Sequence, residues 1–138
     1  MQDRLKEKEE RLLQVLASLA EQTGKGIPIV VEGKNDVETL KMLGIEGVTI
    51  SAKTGGKSLL DVVSEVEKLG VQEAILLFDF DRRGREWTKR VKLHLEKVGI
   101  TPNLTFWSEL LILVGRDVKD IEGLASYVET LKSKIRNS

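Results

Sequence analysis

Apolar positions along the chain fall into two rhythms, one helical and one of short continuous runs. Residues 3 to 22 follow the helical rhythm, with Leu5, Leu12, Val15, Leu16 and Leu19 on one side of an otherwise charged segment. Thr23-Gly24-Lys25-Gly26 ends that helix, with glycine at its C-cap. The run Pro28-Ile29-Val30-Val31-Glu32 then reads as a strand. It leads to a helix from about Asn35 to Leu43, with Asn35 as N-cap and Gly44 as stop. A short strand at Gly47-Val48-Thr49-Ile50 precedes the loop 51–57. A helix carrying Leu59, Val62, Val63, Val66 and Leu69 follows and stops at Gly70. Ile75-Leu76-Leu77-Phe78 is the next strand, followed by a helix from about Arg85 to Val98 with Trp87, Val91, Leu95 and Val98 inward. Leu104-Thr105-Phe106-Trp107 reads as a fourth strand. Leu110 to Val114 fits either a strand or a buried helical turn, and Ile121, Leu124, Ala125, Val128 and Leu131 mark a last amphipathic helix.

Strands alternating with helices predict an α/β fold of three layers, α/β/α, around a four-stranded, mainly parallel, Rossmann-like sheet. The expected organisation is an amino-terminal amphipathic helix over residues 1–24 and a single body over 25–138 that includes the carboxyl-terminal helix. The charged first helix offers a possible docking face for a protein partner.

Composition narrows the chemistry. The chain has 138 residues, enough for one domain with a real core. Its 22 Lys and Arg balance 22 Asp and Glu, so no overall field draws it to nucleic acid, although a local basic patch remains open. Without cysteine there is neither a disulfide framework nor a thiolate metal site. No apolar run approaches the roughly 20 residues of a membrane span, and the charged start is not a signal peptide, so a cytoplasmic location away from membranes is expected.

The most informative run is Ile75-Leu76-Leu77-Phe78-Asp79-Phe80-Asp81-Arg82-Arg83-Gly84. A buried strand that stops in Asp-x-Asp sets two carboxylates at its carboxyl end, the edge where open α/β sheets bind ligands. Two acids so close repel each other unless a cation stands near them. Oxygen-only ligation suits Mg²⁺ or Mn²⁺, which share their remaining positions with water and phosphate. The adjoining arginines suit a phosphate. Asp-x-Asp is also an ordinary helix cap, and that reading stands beside the metal reading. A second apolar strand ends in Glu32-Gly33, which strengthens the case for an acid site.

Together these segments resemble the Toprim family, the catalytic domain shared by topoisomerases, bacterial-type primases and small rRNA-maturation nucleases. Val30-Val31-Glu32-Gly33-Lys34-Asn35-Asp36 resembles its first motif, and Asp79-Phe80-Asp81-Arg82-Arg83-Gly84 its second, with Glu32 and Asp79 47 residues apart. The family usually carries a small polar residue before the first Asp. Phe78 stands there, which the resemblance implies would alter the wall of the site. The resemblance covers about residues 27 to 115. It implies a Mg²⁺-dependent (or Mn²⁺-dependent) protein acting on nucleic-acid phosphodiesters, most simply a nuclease. The alternative is a non-catalytic, metal-dependent nucleic-acid-binding subunit of a larger RNA-processing or replication complex. Asp79 and Asp81 would hold the ion, and Glu32 would serve as third ligand or general acid/base. Lys34, Lys53, Arg82 and Arg83 would position the RNA or DNA backbone. Gly33 would leave the approach of substrate open, and Asp36, within the first motif, is a further candidate.

The loop Ser51-Ala52-Lys53-Thr54-Gly55-Gly56-Lys57-Ser58 offers a rival reading as a phosphate-cradling nucleotide loop. Ser51 stands where that motif requires glycine, which weighs against nucleotide hydrolysis. Two other readings remain. Gly55, Gly56, Lys53 and Lys57 could bind one phosphate of a nucleic acid, or the loop could simply be solvated. His94 and Tyr127 read as boundary and packing residues. With no room for a DNA-clamping domain, a topoisomerase is not expected. Asp117, Asp120 and Glu122 form a late acidic segment. Helix capping by Asp117 or Asp120 is one reading, and a site role for Glu122 is the other.

Overall fold

In a computed structural model that describes residues 2–137, the expected alternation is present. The order is α1 (Gln2–Gly24), β1 (Ile29–Val31), α2 (Lys34–Met42), β2 (Thr49–Ser51), α3 (Leu59–Lys68), β3 (Glu73–Leu76), α4 (Arg82–Lys97), β4 (Thr101–Asn103), α5 (Thr105–Val114) and α6 (Ile121–Arg136). The sheet runs β2-β1-β3-β4, and each pairing is parallel. Ile29 stands beside Ile75 and Val30 beside Leu76, so the two strands that end in acids are neighbours.

Side chains alternate between sheet faces, and this alternation divides the core in two. Ile29, Val31, Ile75 and Leu77 point to one face, where α1, α2, α5 and α6 cover them with Leu16, Leu19, Leu40, Leu110 and Leu124. Val30, Ala74, Leu76 and Phe78 point to the other, under Val62, Val66, Val91 and Leu95 of α3 and α4. Burial on both faces is why these strands read as unbroken apolar runs. Each such Leu, Ile or Val contributes roughly 1.5–3 kcal/mol by leaving water. Helices on both faces complete the three-layer α/β/α fold.

Several boundaries differ from the sequence expectation. Leu104–Trp107 is not the fourth strand. That strand is Thr101-Pro102-Asn103, and the chain turns into α5 at Thr105. Leu110 to Val114 belong to the same helix, which buries Phe106, Leu110 and Val114 at four-residue spacing. The N-cap of α2 is Gly33 rather than Asn35, two residues earlier. α4 starts at Arg82 rather than Arg85, because Asp81 caps it and accepts a hydrogen bond from the Gly84 N–H at 2.8 Å. The apolar side of α1 is consumed within the chain, since Leu12, Val15, Leu16 and Leu19 are buried in the core shared with α5 and α6. The charged side of α1, with Arg4, Lys6, Glu7, Glu10 and Arg11, stays exposed. Among the described residues no helix is long and apolar enough to cross a membrane.

Candidate metal centre

The carboxyl ends of β1 and β3 bring Glu32 and Asp79 together. β2 extends the same edge: Ala52 N–H donates to the Val31 carbonyl and Lys53 N–H to the Glu32 carbonyl, so pairing continues one step past the strands. That register carries the Lys53 ammonium to 3.4 Å from Glu32 Oε2. A fourth segment closes the site from the far end of the chain. Phe80 N–H donates to the Lys119 carbonyl at 2.7 Å, which lays Asp120 and the start of α6 beside Asp79.

The result is a cavity of about 280 Å³ lined by Glu32, Gly33, Lys34, Asn35, Asp36, Lys53, Asp79, Asp120 and Glu122. Five carboxylates face two lysines there. The first turns of α2 and α6 supply much of the wall, so two positive helix ends offset part of the acid charge. A larger cavity of about 480 Å³ lies between α1 and α5, but Glu109 is the only acid in its wall, so chemistry rather than size selects the site.

Electrostatics mark Asp79 out. Burial of its carboxyl, and then the adjoining Glu32 carboxylate, push it up to about 8, with Asp36 and Asp120 adding like charge. Asp36 is also raised, first by burial, against the lowering effect of the hydrogen bond it accepts from Gly33 N–H at 2.9 Å. With both acids ionised, two buried oxygens, Glu32 Oε1 and Asp79 Oδ1, have no hydrogen-bond partner, whereas a proton on Asp79 is shared with Glu32. An unmet buried acceptor is costly, and a hard cation meets that need. The donors are all oxygens, as Mg²⁺ or Mn²⁺ prefers. Among the described residues no three His, Asp or Glu side chains form a ready-made ligand cluster. Mg²⁺ commonly takes only one or two carboxylates directly and fills its other positions with water. The residues present fit such an ion.

The other candidates divide. Lys34, Lys53, Asp36 and Glu122 line the cavity. Asp81 does not: it is exposed at the start of α4, one oxygen capping the helix. Arg82 and Arg83 are exposed on the same turn, and Arg82 pairs with Glu86 at 3.5 Å rather than with either aspartate. Lys57 is held away from the acids, with its ammonium 2.9 Å from the Ser51 carbonyl and 2.9 Å from Glu65 Oε1. Gly55 and Gly56 form an exposed 3-10 turn at positive φ, and Ser58 caps α3. Phe78 is fully buried against Trp87 on the other face of the sheet and takes no part in the cavity wall, contrary to expectation. His94 bonds the Arg90 carbonyl, and Tyr127 packs on the core under the Lys8 ammonium. Asp117 caps nothing and lies 3.7 Å from Lys8. Asp120 caps α6 through Gly123 N–H at 2.6 Å and also lines the cavity, a placement that residue-by-residue reading missed. The available signal was the repeated Asp-x-x-Gly of Asp81–Gly84 and Asp120–Gly123.

Comparison with known proteins supports the fold. The Toprim domain family matches residues 27–105. A UPF0292 protein of Methanosarcina barkeri is 36% identical over 125 residues, covering 91% of this chain and 85% of that protein. A UPF0292 protein of Methanocaldococcus jannaschii is 41% identical over 120 residues, covering 86% of this chain and 91% of that protein. Among solved structures, a protein from Aquifex aeolicus superposes with a TM-score of 0.66 at 28% identity, over 79% of this chain and 94% of that one.

Proposed function

The chain belongs to the Toprim domain family, alongside the small UPF0292 proteins of archaea, and from that premise we propose that it is a Mg²⁺-dependent nuclease cleaving nucleic-acid phosphodiesters. The observation that carries this reading is the pair of unpartnered buried oxygens, Glu32 Oε1 and Asp79 Oδ1, at the ends of adjacent strands. Asp79 and Glu32 are the proposed carboxylates for the ion; Asp81, outside the cavity wall, would add to it only through the oxygen its cap leaves free. When bound, the ion supplies positive charge that neutralises a phosphate and favours the attacking or leaving oxygen.

The chain's own residues do the rest. Water forms the new P–O bond as the bond to the leaving oxygen breaks. Glu32 accepts the proton from that water, or returns one to the leaving oxygen, at a carboxylate held by burial and by Lys53. Lys34 and Lys53 stand on the cavity wall where a phosphate would sit. The α2 and α6 amino termini add backbone N–H groups suited to an anion.

Turnover of end-labelled RNA and DNA by the purified protein tests the reading. Cleavage with Mg²⁺, none in chelator, and a loss of about 100-fold or more in Glu32→Gln are expected. Binding without cleavage under every metal condition would overturn the nuclease and favour the binding-subunit alternative.

A further inference from the structure

The chain as a whole is neutral, yet α4 is not. Its 16 residues carry seven Lys and Arg against Glu86 and Glu96, so the remainder of the chain is net acidic. The other two long helices mix their signs: α1 holds four basic and five acidic residues, α6 three and two. A helix that merely needed a soluble face would resemble those two.

The charge on α4 is also ordered. The helix buries Gly84, Thr88, Val91 and Leu95. At 100° per residue its basic side chains form two exposed rows on either side of the outermost ridge. One row is Arg82, Arg85, Lys89 and Lys92, and the other is Arg83, Arg90 and Lys97. Among the described residues only Arg82 of these seven makes an ion pair. The helix begins at the acid cavity, since Gly84 packs on the Asp79 backbone, and its length of about 24 Å carries the rows away from it. Its sole Trp, Tyr or Phe, Trp87, is half-buried and packs against Phe78, so the surface has no large aromatic platform on which successive bases could stack. It offers mainly cations to phosphates.

We propose that α4 is the duplex-binding rail of this protein, its two basic rows gripping the phosphates of about seven base pairs of double-stranded nucleic acid beside the acid cavity. This rests on the reading that the cavity acts on nucleic acid. A duplex fits better than a single strand because it presents phosphates outward with its bases already stacked. The contacts carry no sequence information.

The experiment measures anisotropy of a labelled 20-base-pair duplex, and of the single strand of equal length, in chelator so that nothing is cut, at several salt concentrations. The test variant combines Lys89→Gln, Arg90→Gln, Lys92→Gln and Lys97→Gln. A control combines Lys6→Gln, Lys41→Gln, Lys68→Gln and Lys134→Gln, which remove the same charge from exposed sites elsewhere. Duplex affinity of the test variant is expected to fall about tenfold or more, and its log–log salt slope by about 0.9 for each phosphate that is no longer neutralised. The control should keep the wild-type slope, and both variants should melt near the wild-type temperature. Wild-type affinity and slope in the test variant, equal losses in test and control, or tighter binding of the single strand each overturn the rail. So does loss of binding to phosphatidylserine vesicles with duplex binding intact, which would make α4 a membrane surface. Wild-type protein that binds no nucleic acid at low salt overturns the proposed function as well. Wild-type affinity and slope in the test variant, alongside Mg²⁺-dependent cleavage by the wild type in a separate assay, overturn the rail alone.

Discussion

A Cβ atom on Gly84 would overlap the carbonyl of Asp79. The first turn of α4 lies against the backbone that presents the acid, and the Asp81 cap holds it there through Gly84 N–H. This packing gives the Asp-x-Asp-x-x-Gly spacing a mechanical reason. Gly33 is different. Its backbone is extended at φ −130°, and an added Cβ would meet only Asp36 Oδ2 at an ordinary 3.8 Å. The fold demands glycine at 84 and tolerates a side chain at 33. Gly84→Ala should therefore cost about 3 kcal/mol or more and lower the melting temperature by roughly 10 °C. Gly33→Ala should stay within about 1 kcal/mol of wild type while impairing cleavage. Urea midpoints for the two variants check this, and equal midpoints would remove the distinction.

Asp79 makes the metal-free protein sensitive to pH in a stated direction. The unfolded chain gives up this proton near the ordinary value of 3.8, whereas the folded chain, with the carboxyl buried beside Glu32, keeps it until about 8. Between those values the folded state holds the extra proton, so the stability contributed by Asp79 is full below about pH 4 and is lost as pH rises through about 8. Asp79→Asn should be free of that loss. The difference in urea midpoint between the variant and wild type should widen from pH 5 to 8 and then level off. Mg²⁺ competes for the ionised form, so its stabilisation should grow over the same range with release of a proton. A midpoint difference that does not change with pH would show that Asp79 is an ordinary surface acid.

Lys53 is the cation already present at the site. Its ammonium faces Glu32 Oε2, while Glu32 Oε1 remains without a partner. Lys53→Met should lower the melting temperature of the metal-free protein by leaving the buried carboxylate uncompensated. The same change removes a positive charge that repels the incoming ion, so the Mg²⁺-induced rise should be larger than in wild type. Melting curves with and without Mg²⁺ read both effects. A smaller Mg²⁺ response in Lys53→Met would mean that the lysine supports the ion instead of standing in for it.

The parts legible in the sequence were those with a strong local signal. Unbroken apolar runs at Ile29–Val31 and Ile75–Phe78 announced strands buried on both faces, and their acidic ends located Glu32 and Asp79. β4 was misplaced because Thr101-Pro102-Asn103 has poor strand chemistry. It is tolerated at the sheet edge, where β4 has no neighbour on its outer side to receive a donor from Pro102. Leu104–Trp107 has strand-like residues, yet Phe106, Leu110 and Val114 share one helical face, a period the short window did not reveal. Asp120 was readable as a cap but not as a wall of the site. Its position depends on the Phe80–Lys119 backbone hydrogen bond between segments 39 residues apart, which no local pattern encodes.

Asp81 caps α4 and is proposed as a further ligand of the ion, and substitution separates the two. One carboxylate oxygen accepts from Gly84 N–H and caps α4, and the other is not used by the cap. Asparagine caps a helix about as well as aspartate, whereas alanine does not cap. Asp81→Ala should cost about 1 kcal/mol in metal-free protein, and Asp81→Asn close to nothing. If the free oxygen completes the metal centre, Asp81→Asn should still lower Mg²⁺ affinity about tenfold or more, the scale on which supporting groups around a metal act. Calorimetric titration of Mg²⁺ into both variants, alongside their melting curves without metal, gives the two quantities independently. Wild-type Mg²⁺ affinity in Asp81→Asn would reduce Asp81 to a cap and leave Glu32 and Asp79 as the carboxylates of the ion.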